Sequence, residues 1–290
     1  MEELEVKKDF TNIYIQKSPN AYLKEMKRLD YRIPNKTKPL YLSIAKQLYT
    51  KLKKKKINII DIGSSYGINS ALMKYNLTMS DLDDFFLEQE PSIEQSKQFF
   101  ENLSSDDTLD FYQIDISQPA LKFSENTGLC KKGICVNLES GNLPIQDLPQ
   151  ADMIIATGCI GYIGYKAFSN LFELIKKQQS ESNLESSEKG TVFAFSVLRI
   201  FDMEKIQKVF DHYGYSLVKS DIKPIRQRRF SDSEEKYKTI SLLHGKGIDT
   251  KWLEDDGHFY ADFYIASPKI LETNLVSMSE KLKSVFGVLG

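Results

Sequence analysis

Residues that staple or metallate small folds are scarce in this chain. Of its 290 residues three are cysteine (Cys130, Cys135 and Cys159), three are histidine and one is tryptophan. Three cysteines cannot form a disulfide framework, and reduced thiols suit an intracellular compartment. Cys130-x-x-x-x-Cys135 lacks zinc spacing and has no histidine beside it, so no metal site is expected. No apolar run approaches the length of a membrane-spanning helix, and no membrane partner is expected. The opening residues MEELEVKKDF are charged and hold no apolar signal segment, so the expected location is cytoplasmic. Neither sign of charge dominates: 39 Lys+Arg meet 40 Asp+Glu, a formal net charge of -1. That balance gives no global argument for nucleic acid, which is not expected as a partner.

The material for an ordinary globular core is present, at 41% hydrophobic and 27% charged residues. To about Leu52 the chain reads as helix, turn, helix. Ser18-Pro19 opens the first helix, AYLKEMKRL carries it, Ile33-Pro34 and Lys38-Pro39 interrupt, and PLYLSIAKQLYTKL resumes. Lys53 to Lys56 read as a solvated helix end, where cations complement the helix dipole. From Ile57 the texture changes. INIIDI, FYQIDI, GICVNL, DMIIAT and TVFAFSVL are short, apolar and rich in β-branched residues. Between them lie the helix-like segments INSALMKY, QPALKFSENTGL, YKAFSNLFELIKKQQ and DMEKIQKVFDHYG. Such alternation predicts an α/β fold with a mostly parallel sheet covered on both faces. SESNLESSEK (180–189) reads as a surface loop. Beyond Gly214 follow a strand YSLVKSDI, a basic turn QRRF and a helix SEEKYKTISLLHGKG. The strand HFYADFYIAS alternates in a way that suits an antiparallel edge, and the tail after Pro268 reads as one more helix. The organisation is then a helical cap over 1–56, a main domain over 57–268 with helical insertions at 76–108 and 221–257, and a helix over 269–290.

The strongest local signal is INIIDIGSSYGINSALMKY. A strand ends in Asp61, the turn Gly63-Ser64-Ser65-Tyr66-Gly67 follows, and a helix begins. Gly63 permits a tight turn and close backbone approach, and Gly67 lets the helix pack near the strand. The spacing is Gly63-x-x-x-Gly67, not the G-x-G-x-x-G of a pyrophosphate site. An acid two residues before the first glycine repels phosphate and attracts an ammonium. Acid and spacing together point to S-adenosylmethionine over NAD; a glycine turn with no ligand is the plainer reading.

Asp115, closing FYQID, is the candidate for the ribose hydroxyls, since a carboxylate accepts two hydrogen bonds from a diol. Asp81, Asp83 and Asp84 compete, although Ser80 followed by Asp83 looks like a helix cap. Asn137 is placed to reach an adenine amino group beside the Leu138 backbone, or else simply caps the chain. Thr157, Gly158 and Cys159 fall at the carboxyl end of the fourth strand, the edge that faces a ligand crevice in open α/β sheets. Cys159 suits a small packed side chain better than a nucleophile.

In this order DIGSSYG, QIDIS, VNLE and ADMIIATG resemble the signature segments of class I S-adenosylmethionine-dependent methyltransferases, over roughly residues 57–200. YLKEMKRLDYRIP, SYGINSALMKY, GCIGYIG and QRRF resemble phrases of an uncharacterised bacterial-type methyltransferase group, which extends the match over nearly the whole chain. The resemblance implies a Rossmann-like three-layer sandwich with an antiparallel strand at one edge and an N-terminal helical extension. It also implies methyltransferase activity with S-adenosyl-L-methionine as cofactor. Asp61, Gly63, Ser64, Ser65, Tyr66 and Gly67 then line the methionine end, Asp115 the ribose, and Asn137 and Leu138 the adenine, with Thr157 and Gly158 near the sulfonium. Ser65 departs from the pattern, standing where many members carry a middle glycine, and serine suits that place only if its φ stays negative.

Methyl transfer asks the protein mainly for alignment and a dry site. A base is needed only when the acceptor must lose a proton; Tyr162 is the preferred candidate, with Glu139 and His258 behind it. No Asn-Pro-Pro-aromatic segment follows the fourth strand, which argues against amino-methylation of adenine or glutamine. Gln227-Arg228-Arg229-Phe230 is either an anion-binding cluster or a structural ion pair. Tyr14, Tyr22, Tyr31, Phe230 and Trp252 suggest a small or medium-sized acceptor enclosed by the amino-terminal helices and the 221–257 insertion. The alternatives are a protein acceptor and a non-catalytic S-adenosylmethionine-binding module. The sequence leaves the oligomeric state open.

Overall fold

A computed structural model describes residues 11–140, 148–181 and 190–269. Among the described residues three elements precede the sheet: α1 (Thr11–Tyr14), α2 (Asn20–Arg28) and α3 (Ile33–Leu52). The α/β alternation then runs β1 (Ile57–Ile62), α4 (Ile68–Lys74), α5 (Met79–Gln89), α6 (Ile93–Glu101), β2 (Leu109–Asp115), α7 (Gln118–Asn126), β3 (Lys132–Cys135) and β4 (Met153–Ala156). It continues with α8 (Tyr165–Glu181), β5 (Val192–Leu198), α9 (Glu204–His212), β6 (Tyr215–Lys219), β7 (Ile225–Arg229), α10 (Ser233–Gly245) and β8 (His258–Pro268).

The strands form one eight-stranded sheet in the order β3-β2-β1-β4-β5-β8-β6, with β7 also paired to β8. β3, β2, β1, β4 and β5 are parallel neighbours. β8 runs antiparallel to β5 on one side, and on the other to β7 along its first half and β6 along its second. The chain therefore builds outward in one direction from β1 and then returns to lay β4 on its other side. That reversal opens a crevice at the carboxyl ends of β1 and β4.

Strand alternation divides the core into layers. Ile57 and Ile59 of β1 join Tyr41, Ile44 and Leu48 of α3 on one face, together with Phe259, Ala261 and Phe263 of β8. Ile60 and Ile62 join Phe168, Leu171 and Phe172 of α8 and Phe210 of α9 on the other. A third cluster packs α2, α5, α6 and α7 around Tyr66. The result is a Rossmann-like helix–sheet–helix sandwich.

Several local expectations are corrected. α3 begins at Ile33 and runs through Pro39, because burial of Ile33, Leu40, Tyr41, Ile44 and Leu48 outweighs the roughly 3 kcal/mol that an interior proline costs. The cap of the 76–108 excursion is Thr78 with Asp81, a reciprocal capping box, and not Ser80 with Asp83. QRRF is not a turn: Gln227, Arg228 and Arg229 belong to β7. Lys53 to Lys56 do end a helix in solvent, with Lys54 paired to Asp152 and Lys56 to Asp110. Residues 180 and 181 finish α8, and the rest of the expected 180–189 loop lies outside the described residues, as does the expected 269–290 helix beyond Lys269.

Candidate functional site

Four strand ends meet at the crevice. The turn after β1 is wound tightly: Gly63, Ser65 and Gly67 have φ of 63°, 51° and 77°. Gly67 N–H donates to Ser64 O at 3.0 Å, and Gly63 N–H reaches across to Ile114 O of β2 at 2.8 Å. Ser65 thus adopts the left-handed backbone that glycine tolerates best, contrary to the condition set for a serine at this position. The strain costs on the order of 1–2 kcal/mol. A hydrogen bond helps to hold it, since Ser65 N–H donates to Asp115 Oδ2 at 2.8 Å.

Asp115 ends β2 as expected, and its other oxygen accepts from Ser117 N–H at 2.8 Å. Burial raises its carboxyl above the usual carboxylate range, opposed by the N–H groups of Ser117, Ser65 and Ile116. Asp81, Asp83 and Asp84 lie on α5, away from any strand end. Beside Asp115 the structure exposes Ile116 at 74% of its surface, an apolar side chain that sequence reading passed over. Cys135 Sγ at the end of β3 lies 3.4 Å from the Ile116 carbonyl. An exposed isoleucine directly after a strand-terminal acid was the available signal.

Asp61 is sealed off. It has no exposed surface, and Asn69 Nδ2 donates to both its oxygens at 3.1 Å. Burial pushes its carboxyl up to about 8, with Asn69 pulling down and Asp115 adding to the rise. Asn69 also donates to Thr157 Oγ1 at 3.2 Å, and Thr157 shares a 2.8 Å bond with Tyr41, whose hydroxyl donates to Ala156 O at 3.0 Å. Asp61 and Thr157 therefore join in one buried network that ties β1, β4, α3 and α4 together. Asn69 and Tyr41 were not anticipated, since a polar residue inside an apolar helix reads as noise until its partner is known.

The two serines of the turn behave differently. Ser64 Oγ and Ser65 Oγ are buried and find no hydrogen-bond partner. Gly63 is closely packed, since a Cβ built there would sit 2.6 Å from Cys159 Cβ. Cys159 Sγ in turn lies 3.2 Å from the Ile62 carbonyl, a packing role. Gly67 is equally confined, by Ser124 and Gln113. Tyr66 is buried, and its hydroxyl donates to Ile13 O at 3.1 Å and Gln16 O at 2.9 Å. Ser117 Oγ donates to Tyr14 O. The segment 11–16 is thereby laid across the turn and the end of β2.

Asn137 has its Oδ1 accepting from Glu139 N–H at 2.9 Å, the local cap that the plainer reading foresaw. Leu138 is buried, and its carbonyl accepts from Asn170 at 2.7 Å. Gly158, with φ of 73°, lies against Tyr31 and Gln227. Tyr162 follows on the β4 loop with about half its surface exposed. Tyr14 lies within electrostatic range of Asp115, Tyr162 and Cys159. Of the other proton-transfer candidates, Glu139 rests on the Gly164 backbone, and His258 pairs with Asp256 at 2.8 Å at the start of β8. Tyr14, Tyr22 and Tyr31 do converge, whereas Phe230 packs on Phe259 in the core and Trp252 is 84% exposed.

Two arginines of β7 form structural pairs. Arg228 is bidentate to Glu235 at 2.8 and 2.7 Å, buried, and stacked over Phe259, while Arg226 reaches Asp30 at 3.1 Å. Among the described residues no group of three His, Cys, Asp or Glu could hold a metal, and no helix is long and apolar enough to cross a membrane.

No protein-family model matches the chain. No curated protein matches it either. Among solved structures it is similar to the plantazolicin methyltransferase BamL in complex with a triazolic desmethylPZN analog and SAH, at 11% identity and a TM-score of 0.44, over 91% of this chain and 95% of that one. It is also similar to a cyclopropane-fatty-acyl-phospholipid synthase-like protein from Lactobacillus casei (12%, TM-score 0.42, 85% and 97% covered). A third likeness is to magnesium protoporphyrin IX methyltransferase from Synechocystis with bound SAM (12%, TM-score 0.36, 78% and 76% covered).

Proposed function

We propose that this chain is an S-adenosylmethionine-dependent methyltransferase acting on a small or medium-sized acceptor. The observation that carries the reading is the bond from Ser65 N–H to Asp115, which sets a glycine-flanked turn and a strand-terminal carboxylate side by side at the strand-order reversal. Two unpartnered buried hydroxyls, Ser64 and Ser65, and one exposed apolar side chain, Ile116, border them. An amino-acid carboxylate, a ribose diol and a flat base ask for donors, an acid and an apolar face in that sequence.

In this reading Ser64 and Ser65 face the methionine carboxylate, and Asp115 accepts from the ribose hydroxyls. Ile116, Asn137 and Leu138 flank the adenine. Asp61 acts from behind the turn: a carboxyl that burial holds near 8 is returned to its ionised form when an ammonium arrives nearby. Gly63, Tyr66 and Gly67 shape the turn, while Thr157 and Gly158 border the reacting centre. S-adenosylmethionine supplies a methyl group on a sulfonium, which transfers by in-line displacement. The chain supplies alignment and exclusion of water, the latter through the 11–16 segment that Tyr66 and Ser117 hold in place. Tyr162 is the side chain proposed to take an acceptor proton where one must leave. The same cover over the site supports a compact acceptor over a protein surface. The helices of residues 1–56 serve as the cap of a main domain over 57–268.

Titration with S-adenosylmethionine and S-adenosylhomocysteine tests the cofactor, and absence of both heat and thermal shift overturns the reading. Labelled S-adenosylmethionine with fractionated cell extract then tests the acceptor class. Label in small molecules is expected; label in proteins points to a protein acceptor, and none beside tight binding points to a non-catalytic module.

A further inference from the structure

Gln227 is the least satisfied polar side chain bordering Gly158. It is 3% exposed, and its Oε1 is buried with no hydrogen-bond partner. A primary amide left so costs stability unless something else uses it. Its backbone position is also unusual. Arg226 pairs with Tyr260 and Arg228 with Phe259, so Gln227 is the extra residue of a β-bulge. Bulges turn a side chain out of the sheet's alternation and recur beside binding sites.

The turn that carries Tyr31 is clamped to this bulge. Arg32 N–H donates to Gln227 O at 2.8 Å, and Arg229 N–H to Leu29 O at 2.6 Å. Both side chains then converge on one backbone position at the end of β4: a Cβ built on Gly158 would lie 2.6 Å from Tyr31 Oη and 3.4 Å from Gln227 Nε2. The charges flanking Gln227 are paired. The guanidiniums on either side of Gln227 are committed to carboxylates, Arg226 to Asp30 and Arg228 to Glu235.

We propose that Tyr31 and Gln227 form the acceptor-recognition wall beside Gly158, and that it selects an uncharged acceptor bearing an N–H or O–H group over a carboxylate or phosphate. The inference rests on the methyltransferase reading and assigns the substrate class of that same site. The amide offers an NH2 donor group and a carbonyl acceptor, and the phenol can serve as either, so together they suit a neutral hydroxyl, amine or amide. An anion placed there meets, on either side of Gln227, guanidiniums already paired with Asp30 and Glu235, and it carries the cost of desolvation.

The test uses the full chain saturated with S-adenosylhomocysteine and four probes of one shape: phenol, benzamide, benzoate and phenyl phosphate. Ligand-observed NMR reads probe binding. Phenol or benzamide is expected to bind, with benzoate and phenyl phosphate weaker by about tenfold or more. Gln227→Leu is expected to weaken the neutral probe by about tenfold, the worth of one buried hydrogen bond. S-adenosylhomocysteine affinity should stay as in the wild type. The melting temperature of Gln227→Leu should hold or rise, because an orphaned amide has been removed; a purely structural glutamine predicts a fall. Equal binding of charged and neutral probes, no response to either neutral probe, or full retention of binding in Gln227→Leu overturns the proposal. Failure of S-adenosylhomocysteine itself to bind is a separate result and overturns the methyltransferase reading.

Discussion

Ser65 N–H donates to Asp115 Oδ2 at 2.8 Å, so the carboxylate that ends β2 also fixes the middle of the turn that follows β1. One acid thereby holds two backbone positions, the strained Ser65 and Ser117; the proposed function gives it the ribose hydroxyls as well. Asp115→Ala removes acceptors for both Ser65 and Ser117 and should destabilise the fold by about 2–4 kcal/mol. Asp115→Asn keeps one acceptor oxygen and should lose less. Both should weaken S-adenosylhomocysteine by more than about tenfold. Calorimetry beside urea unfolding separates the two effects, and wild-type affinity in both variants refutes the ribose role.

Asp61 sets a dependence on pH. Its carboxyl ionises near 4 in the unfolded chain and is pushed up to about 8 by burial in the fold. Between those values the folded protein holds more protons than the unfolded one, so stability falls as pH rises from about 4 to about 8. Asp61→Asn lacks this slope, and its stability relative to the wild type should improve from pH 5 to pH 8. The ligand shows the opposite trend. Wild-type affinity for S-adenosylhomocysteine should rise between pH 6 and pH 8, by at most about tenfold per unit, because ionised Asp61 is the form that attracts an ammonium. The variant should bind weakly and without that rise. A constant difference in urea midpoint across this range would show that Asp61 is not the titrating group.

Backbone strain at Ser65 is directly testable. Its φ of 51° belongs to glycine, so Ser65→Gly should leave stability unchanged or raise it by up to about 1 kcal/mol. Ser65→Val places a β-branched side chain in the left-handed region and should cost more than about 2 kcal/mol. Thermal melts of the pair decide the matter; equal melting temperatures refute the strain. Gly63→Val is a poor probe of ligand binding, because its Cβ would strike Cys159 at 2.6 Å and the fold itself would yield.

Arg228 and Glu235 are a buried couple, not an anion site. Glu235→Gln leaves a buried guanidinium without its counter-charge and should cost about 3–5 kcal/mol. Replacing both, as Arg228→Met with Glu235→Leu, should recover most of that loss. Denaturant unfolding of the single and double variants measures it. A mild single variant would contradict the pairing.

Tyr66→Phe deletes both hydroxyl bonds to the 11–16 segment. Hydrogen exchange across residues 11–16 should accelerate while the sheet core keeps its protection. Global stability should fall by no more than about 1–2 kcal/mol. Unchanged exchange in that segment would mean that Tyr66 does not hold it.

Periodicity and turn chemistry alone made the α/β alternation, the Asp61-Gly63-Gly67 bend and Asp115 at a strand end legible. Each is written in consecutive residues: a short apolar run, its glycine and its terminal acid. The helix through Pro39 was not legible, because the burial that outweighs the proline comes from strands distant in the chain. QRRF failed for a related reason, since a strand paired across a bulge on β8 and neutralised by Glu235 looks, as a string, like a charged turn. Tyr41 meets Thr157 across 116 positions and Asn69 meets it across 88, and no spacing rule encodes such contacts. What the amino-acid sequence determined by itself was the class of fold and the glycine-flanked bend after β1, both products of local geometry. Which polar groups share buried space, which charges cancel and which hydroxyls remain unpaired were decided only by tertiary structure, since burial and proximity are properties of the packed chain.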